Sequence, residues 1–471
     1  MHITTPQFPA NAKAALADKE LQQALDKLRA GFTERRRVAV ERLPEFDALC
    51  DQARIIKDHV LANLDLYLER FEAKVIETGG QVHWCADAAE ARQTVLDLCR
   101  AAGARCVTKS KSMIAEEIAL NDHLEAHGIT PIETDLGEYI IQLAGEPPSH
   151  IIAPAVHKTK ESVADLFAEH HAQYGYTKRH DDAAALLEEA RQVLRAKYFE
   201  ADVGITGANF LVAENGAIVT VTNEGNAELT QILPDTHIVI ASLEKVVPTL
   251  EDATTILRVL ARSATGQEFS SYTTFSAGGR RPGDLDGPRN FHVVLLDNGR
   301  SAMLGTEFQD MLRCIRCGAC LNHCPIYGAV GGHAYGWVYS GPMGAVLTPQ
   351  LIGLEAAGHL PNASTFCGRC EAVCPMAIPL PAMMRRWRER EFESHLQPAP
   401  SRLGLRLWSW FARHPAAYRG LIRAASRVLR LMGGRSRRIG WLPGAAGWTA
   451  GRDLPAPEGR SFHALWAERG P

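Results

Sequence analysis

Seven of the eleven cysteines stand at positions 314, 317, 320, 324, 367, 370 and 374, a spacing that suits metal or redox chemistry. Cys314-Ile-Arg-Cys317-Gly-Ala-Cys320-Leu-Asn-His-Cys324-Pro325 reads C-x2-C-x2-C-x3-C-P, the run that holds iron–sulfur cubes in bacterial ferredoxins. Two-residue gaps let successive thiolates wrap one cube, while the sulfur beyond the three-residue gap points toward a second. A four-cysteine zinc site is the competing chemistry, but it calls neither for a third closely spaced cysteine followed by Cys-Pro nor for a second copy. That second copy is Cys367-Gly-Arg-Cys370-Glu-Ala-Val-Cys374-Pro375. It aligns with the first at the last three cysteines and has Ser364 where the leading one would stand.

If the fourth cysteine of each run crosses over, cluster one takes Cys314, Cys317, Cys320 and Cys374. Cluster two then takes Cys324, Cys367 and Cys370 and lacks one thiolate. Its last iron is then held by oxygen or another ligand, left open, or missing as in a [3Fe–4S] cluster. Ser364 is a candidate for that ligand and equally an ordinary loop serine. Cys50, Cys85, Cys99 and Cys106 lie outside the motifs and read as small buried hydrophobes. Between the motifs, Gly328, Gly331, Gly332, Gly336, Gly341 and Gly344 suit either backbone that passes close to a cluster or a plain glycine-rich loop. Tyr335, Trp337 and Tyr339 would shield the clusters or simply pack.

Other chemistry is sparse. No GxGxxG follows a strand, and there is no phosphate-binding GxxxxGK[ST], no HExxH and no CxxxCxxC. Lys109 and Lys111, placed after a strand and before a helix opened by Ser112, are able to hold an anion such as a carboxylate, or are exposed loop lysines. His170, His171 and His180 have no metal-ligand spacing.

The elements that must position these groups follow from periodicity. Residues Ala12 to Glu77 carry apolar positions at three- and four-residue steps, which predicts two or three amphipathic helices ending at Gly79-Gly80. Short apolar runs then alternate with helical segments: Gln81–Trp84, Arg105–Thr108, Ile129–Glu133, Ile151–Ala153, His237–Ala241 and Phe291–Leu296. Such alternation predicts a parallel sheet of βαβ units. Asp135-Leu-Gly-Glu138 suits a capping box opening a helix to Leu143, and Asn215-Gly216 between Phe210–Ala213 and Ala217–Thr222 predicts a hairpin. Helices are expected at Leu250–Ser263 and Ala382–Glu393.

With 471 residues, 46% hydrophobic and 22% charged, the chain can bury a large core, which excludes a disordered chain or a small disulfide-stapled domain. Net charge is 51 − 54 = −3, which predicts no nucleic-acid partner. From Ser401 on, thirteen Arg against three acids give 13 − 3 = +10, leaving −13 on the first 400 residues. Leu403, Leu407, Trp408, Phe411, Leu421, Ile422, Val428 and Leu429 among those arginines predict two amphipathic helices broken at Pro415. Such a tail docks an acidic protein surface or lies on anionic lipid; beyond Gly433 poor order is expected. The first eleven residues lack a basic region leading into an apolar one, and no apolar run approaches the roughly 18 residues of a spanning helix, so a cytoplasmic protein, with peripheral membrane contact through the tail as the variant, is expected.

Taken together, the sequence resembles the lactate utilization protein B family. The resemblance rests on Lys109-Ser-Lys-Ser-Met113 through Glu133-Thr-Asp-Leu-Gly-Glu138, Thr206-Gly-Ala-Asn-Phe-Leu-Val-Ala-Glu-Asn-Gly216, both cysteine motifs and the basic extension. It implies an N-terminal helical segment (1–79) and an α/β lactate-utilization domain (80–303) similar to ribose-5-phosphate isomerases and CoA transferases. An α-helical ferredoxin-like module (304–394) and a basic, partly helical extension (395–471) follow. It also implies two [4Fe–4S] clusters, the second with three evident cysteines, and a role as electron carrier in oxidation of L-lactate to pyruvate. The implied partners are a cysteine-rich-repeat subunit and a second subunit with a lactate-utilization domain. The runner-up is an enzyme in its own right: Ala213-Glu214-Asn215-Gly216 looks like the Ser-Glu-Asn-Gly segment of CoA transferases, which would make Glu214 a nucleophile in acyl or hydroxyacid chemistry.

Overall fold

The computed structural model describes residues 3–449 and 451–469. The chain divides into two compact units, Met1–Arg390 and Glu391–Pro471. In the first, ten strands form two sheets: β1 (Gln81–Cys85), β2 (Cys106–Lys109), β3 (Thr130–Glu133), β4 (Val203–Gly207), β5 (Phe210–Val212), β6 (Ala217–Thr222), β7 (Thr236–Ser242), β8 (Val246–Val247), β9 (Tyr272–Ser276) and β10 (Asn290–Leu296). The larger sheet runs β1-β10-β7-β4-β2-β3, and every neighbouring pair is parallel.

Parallel strands joined by helical crossovers are covered on both faces, so their inner strands are apolar throughout. All seven residues of β7 are buried. Ile238 and Ile240 point to one face, against Val95, Leu96 and Cys99 of the helix Ala88–Ala101. Val239 and Ala241 point to the other, against Leu64, Leu68, Phe71 and Val75 of the helix Leu64–Glu77. The smaller sheet, β8-β5-β6-β9, carries the expected hairpin. Its loop is four residues long: Asn215 Oδ1 accepts from the Ala217 amide, and Gly216 takes the left-handed φ of 73° where a side chain would strike the Lys74 backbone.

The N-terminal region forms four helices, Phe8–Ala17, Lys19–Glu41, Phe46–Ala62 and Leu64–Glu77, one more than expected. The extra break comes at Asp18, whose carboxylate accepts from the Glu20 and Leu21 amides and starts a new helix. These helices reach far along the chain: Gln22 donates to the Ala329 carbonyl, Arg29 to Gly328, Arg36 to Val373 and Thr5 to Ala356.

Two expectations are corrected and a third is settled in part. Ile151–Ala153 is not a strand, because the Ile152 and Ala153 amides donate to Nδ1 of the buried His150, at 3.0 and 3.2 Å, in place of a sheet neighbour. Of the two readings of the glycines between the cysteine motifs, chain crossing holds at Gly332 and Gly336. A Cβ on Gly332 would lie 1.7 Å from the Ser149 carbonyl oxygen, and one on Gly336 would meet the Thr4 backbone. Asp135 does cap the helix Leu136–Ala144 through the Gly137 and Glu138 amides, but Glu138 is buried and turns inward without returning the bond.

The second unit carries the helices Ala399–Arg413 and Pro415–Gly433, separated at His414 as the proline requires. Leu403, Leu407, Trp408 and Trp410 are exposed on the first helix, and Val428 and Leu431 on the second. Beyond Gly433, where poor order is expected, the chain pairs Arg438–Ile439 with Leu454–Pro455 in a short antiparallel ladder and forms a helix over Phe462–Ala467. Among the described residues no helix is long and apolar enough to cross a membrane.

Candidate iron–sulfur sites and an adjoining cavity

The two cysteine motifs fold alike. Arg316 and Gly318 bracket Cys317 with left-handed φ of 59° and 72°, as Phe366 and Gly368 bracket Cys367 with 54° and 77°. Each then enters a four-residue helix, Ala319–Asn322 or Arg369–Ala372, carrying the next cysteine. Alternating hand turns successive amides to one side, a cradle for an anionic group. The Tyr327 amide donates to the Cys324 sulfur at 3.5 Å, and the Ala319, Arg369, Glu371 and Ile378 amides act to lower the pKa values of Cys317, Cys367, Cys370 and Cys374.

The sulfurs gather in two groups, each drawing on both motifs. Cys314, Cys317, Cys320 and Cys374 line one small cavity with Met343, Met376 and Ile378. Cys324, Cys367 and Cys370 line the other, with Ser364 and Thr365. Among the described residues no three cysteine sulfurs lie within 4.8 Å of one another. A tetrahedral zinc with bonds of about 2.3 Å would pull its sulfurs closer than that. As arranged, no group of three sulfurs is drawn together around a single ion. Burial pushes the Cys374 thiol up to about 11 and Cys370 up to about 12, so these sulfurs become thiolates only against a cationic centre. Cys367 goes the other way: it is exposed, and the Arg369 amide lowers its pKa. Ser364 Oγ already accepts from the Phe366 amide at 3.1 Å. Cys85 and Cys99 are buried, as read, while Cys50 and Cys106 are half-buried.

Beside the first sulfur group lies a cavity of about 540 Å³ at the C-terminal ends of β2, β4 and β7. Open α/β sheets bind their ligands at that end. Ile151 walls both this cavity and the first sulfur group. Lys111, Lys245 and Arg316 bring positive charge to it, and Glu224 and Asp135 negative.

Behind it a buried ion network joins the α/β layer to the cysteine module. Glu117 takes two hydrogen bonds from Arg300, at 2.9 and 2.5 Å, one from Asn298 at 2.7 Å and one from the Tyr339 hydroxyl at 2.6 Å. Glu244 pairs with Arg300 and Arg316, each at 3.2 Å, and Lys57 donates to its backbone carbonyl. Burial would raise the Glu244 pKa, but the two arginines outweigh it and hold it at about 2.

Of the two motif lysines, only Lys111 reaches the cavity, donating to the Ile152 carbonyl at 2.5 Å. Lys109 is neither an exposed loop lysine nor an anion holder. It is fully buried and bonded to Glu133 at 2.7 Å and Glu116 at 3.0 Å, because its strand carries it inside. Those carboxylates and Glu138 line a second cavity of about 890 Å³. Burial raises Glu133 to about 7 and, with Glu116 and Glu133 beside it, lifts Glu138 well above the carboxylate range. Glu214 is exposed and lines neither cavity; its carboxylate accepts the Leu250 amide at the start of a helix. His171 is a satisfied core histidine between Glu189 and Tyr139.

Sequence reasoning missed Lys57, Glu117, Lys245, Glu244, Arg300 and the reach of Arg316, which lay in plain view inside the first CxxC. It also missed the convergence of Glu146, His157 and His333. There Lys158 and His157 already bond Glu146, and His333 donates to the Pro147 carbonyl, so the trio is a hydrogen-bonded clasp between a loop and the cysteine module.

Comparison with known proteins adds three domain matches. Residues 68–296 match the LUD domain, 310–378 a 4Fe-4S dicluster domain, and 383–471 the C-terminal region of lactate utilisation protein B. Among full-length relatives, lactate utilization protein B of Oceanobacillus iheyensis is 42% identical over 451 residues, covering 95% of this chain and 93% of its own. The protein of that name from Bacillus subtilis strain 168 is 39% identical over 472 residues, covering 100% and 98%. A solved DUF162 family protein from Deinococcus radiodurans is 15% identical with a TM-score of 0.28, covering 50% of this chain and 98% of its own.

Proposed function

The chain belongs to the lactate utilization protein B family, and on that premise we propose that it is an iron–sulfur electron carrier in the oxidation of L-lactate to pyruvate. The observation that carries the reading is the pooling of sulfurs from two motifs into two neighbouring groups. In this reading Cys314, Cys317, Cys320 and Cys374 hold one [4Fe–4S] cluster. Cys324, Cys367 and Cys370 hold the other, whose fourth iron takes an oxygen ligand or remains open. Clusters so bound exchange single electrons with little rearrangement.

The protein's own residues set the conditions for that exchange. Met343, Met376 and Ile378 keep water from the first sulfur group, and the amides aimed at the sulfurs favour the reduced state. The exposed Cys367 makes the second group the natural exit toward a partner. The partners in this reading are the cysteine-rich-repeat subunit and the second lactate-utilization-domain subunit, with the basic tail docking an acidic partner surface in the cytoplasm. The α/β domain is read as akin to ribose-5-phosphate isomerases and CoA transferases. The enzyme reading through Glu214 has against it that this carboxylate caps a helix and lines no cavity.

Anaerobic reconstitution with iron counting, EPR and a lactate-to-dye assay on the isolated chain tests the proposal. Two reducible clusters without turnover are expected, and turnover once the partners are added. A colourless, zinc-loaded chain, or lactate oxidation by the chain alone, would overturn it. A [3Fe–4S] signal in the oxidised protein would identify the open corner of the second cluster.

A further inference from the structure

We propose that the cavity at the C-terminal ends of β2, β4 and β7 is a binding site for a small carboxylate, with Arg316 and Lys245 as its charge partners. Arg316 is 9% exposed and lines the cavity, with its guanidinium over the Tyr339 ring at 5.0 Å, yet Nε and Nη1 have no hydrogen-bond partner; only Nη2 has one, Glu244. Its left-handed backbone, rare for a side chain of this size, turns it out of the CxxC loop into the α/β layer. Lys245, 8% exposed, lines the same cavity and makes no hydrogen bond or ion pair among the described residues. Buried donors left unspent are costly, and natural proteins rarely keep them without a partner.

Over the cavity lining and the ion network behind it, Lys57, Lys111, Lys245, Arg300 and Arg316 face Glu117, Asp135, Glu224 and Glu244, a balance of 5 − 4 = +1. As a thiolate, Cys314 faces Lys57, Lys245 and Arg316 and offsets one of those charges, but Nε and Nη1 of Arg316 still have no hydrogen-bond acceptor. A carboxylate supplies those acceptors, two oxygens in the plane of the guanidinium. The hydroxyl of Thr222, also unpartnered, lines the cavity and suits an oxygen on the neighbouring carbon. The choice of a 2-hydroxy or 2-oxo acid rests on the proposed function, whereas the anion itself does not. The volume exceeds a three-carbon acid, so longer side chains are admitted. Because Arg316 stands between Cys314 and Cys317, a bound anion also alters the charge beside the first sulfur group.

The test is equilibrium dialysis of the full chain, prepared anaerobically, against labelled L-lactate and pyruvate, with neutral L-lactamide and inorganic phosphate as controls. Saturable binding of a carboxylate is expected, absent for lactamide and weakened about tenfold or more by Lys245→Gln and by Arg316→Gln. In reconstituted protein, saturating pyruvate should move the first cluster's midpoint potential to more negative values. Binding unchanged in both variants, no binding of either acid, or binding of phosphate alone would overturn the proposal. Should Arg316→Gln impair loading of iron, Lys245→Gln, away from the cysteine motif, carries the comparison. Iron is counted on the same preparation: a chain that binds carboxylate without iron refutes the carrier reading only, and an iron-loaded chain that ignores carboxylates refutes this site only.

Discussion

Replacing Glu117 tests whether the buried ion network holds the α/β layer to the cysteine module. Glu117 accepts four hydrogen bonds, two from Arg300 and one each from Asn298 and Tyr339. Its side chain and that of Arg300 have essentially no contact with solvent. Burial would lower the Arg300 pKa, and Glu117 and Glu244 raise it; because a guanidinium keeps its proton in proteins, the cation stays charged when a partner is removed. Glu117→Ala therefore leaves the buried Arg300 with Glu244 as its one remaining carboxylate, and removing one partner of a buried ion pair costs about 3–5 kcal/mol. Tyr339→Phe removes one neutral donor and should cost about 1 kcal/mol. Glu117→Gln, which keeps one acceptor oxygen but turns donors toward Arg300 and Tyr339, should fall between. Pulse proteolysis across a urea series, on protein handled anaerobically without added iron, reads the three stabilities. A Glu117→Ala chain within about 1 kcal/mol of the parent, or an order in which Tyr339→Phe is the worst, would refute the reasoning.

Other outcomes are equally definite. Glu138 has its pKa lifted well above 4.5 by burial and by two neighbouring carboxylates, so the folded chain holds a proton the unfolded chain releases. Its contribution is complete below pH 4.5 and is lost as pH rises toward the folded value; Glu138→Gln should leave the melting temperature at about pH 4.5 unchanged and raise it at about pH 8. Cys324→Ala should remove about half of the bound iron and leave the first cluster's EPR signal in place; loss of both signals would argue against two separate groups. His150→Ala strands the Ile152 and Ala153 amides and the Asn322 side chain, and should cost about 1–3 kcal/mol per stranded amide with faster hydrogen exchange confined to that loop.

What could be read from the residues was local or repetitive. The CxxC repeat announces its own pairing, because two similar loops facing each other exchange their last cysteines. Apolar runs as long as β7 and β10 can only be covered strands, and Asp135 and Pro415 mark helix ends through their own chemistry. What escaped depends on neighbours hundreds of residues away. Nothing near Gly332 reveals that the Ser149 carbonyl lies against it. His150 withdraws two amides from what looks like a strand because its ring is wedged in place by Asn322. Lys109 looks like a loop lysine until Glu133, one strand over, meets it inside the core. Arg316 reads as a spacer between ligands, and only the fold shows it reaching into another layer.

The hydrogen bonds from Thr5, Gln22, Arg29 and Arg36 to carbonyls about three hundred residues onward bear on how the molecule is made. Part of the surface on which the helices Phe8–Ala17 and Lys19–Glu41 rest belongs to the cysteine-bearing stretch, which is made about three hundred residues later. Until then their apolar faces are open to solvent or to a chaperone. A chain cut short before Val373 would lack the carbonyl on which Arg36 closes. The final docking of these N-terminal helices thus waits on the stretch from Gly328 to Val373, and iron starvation should leave them protease-sensitive.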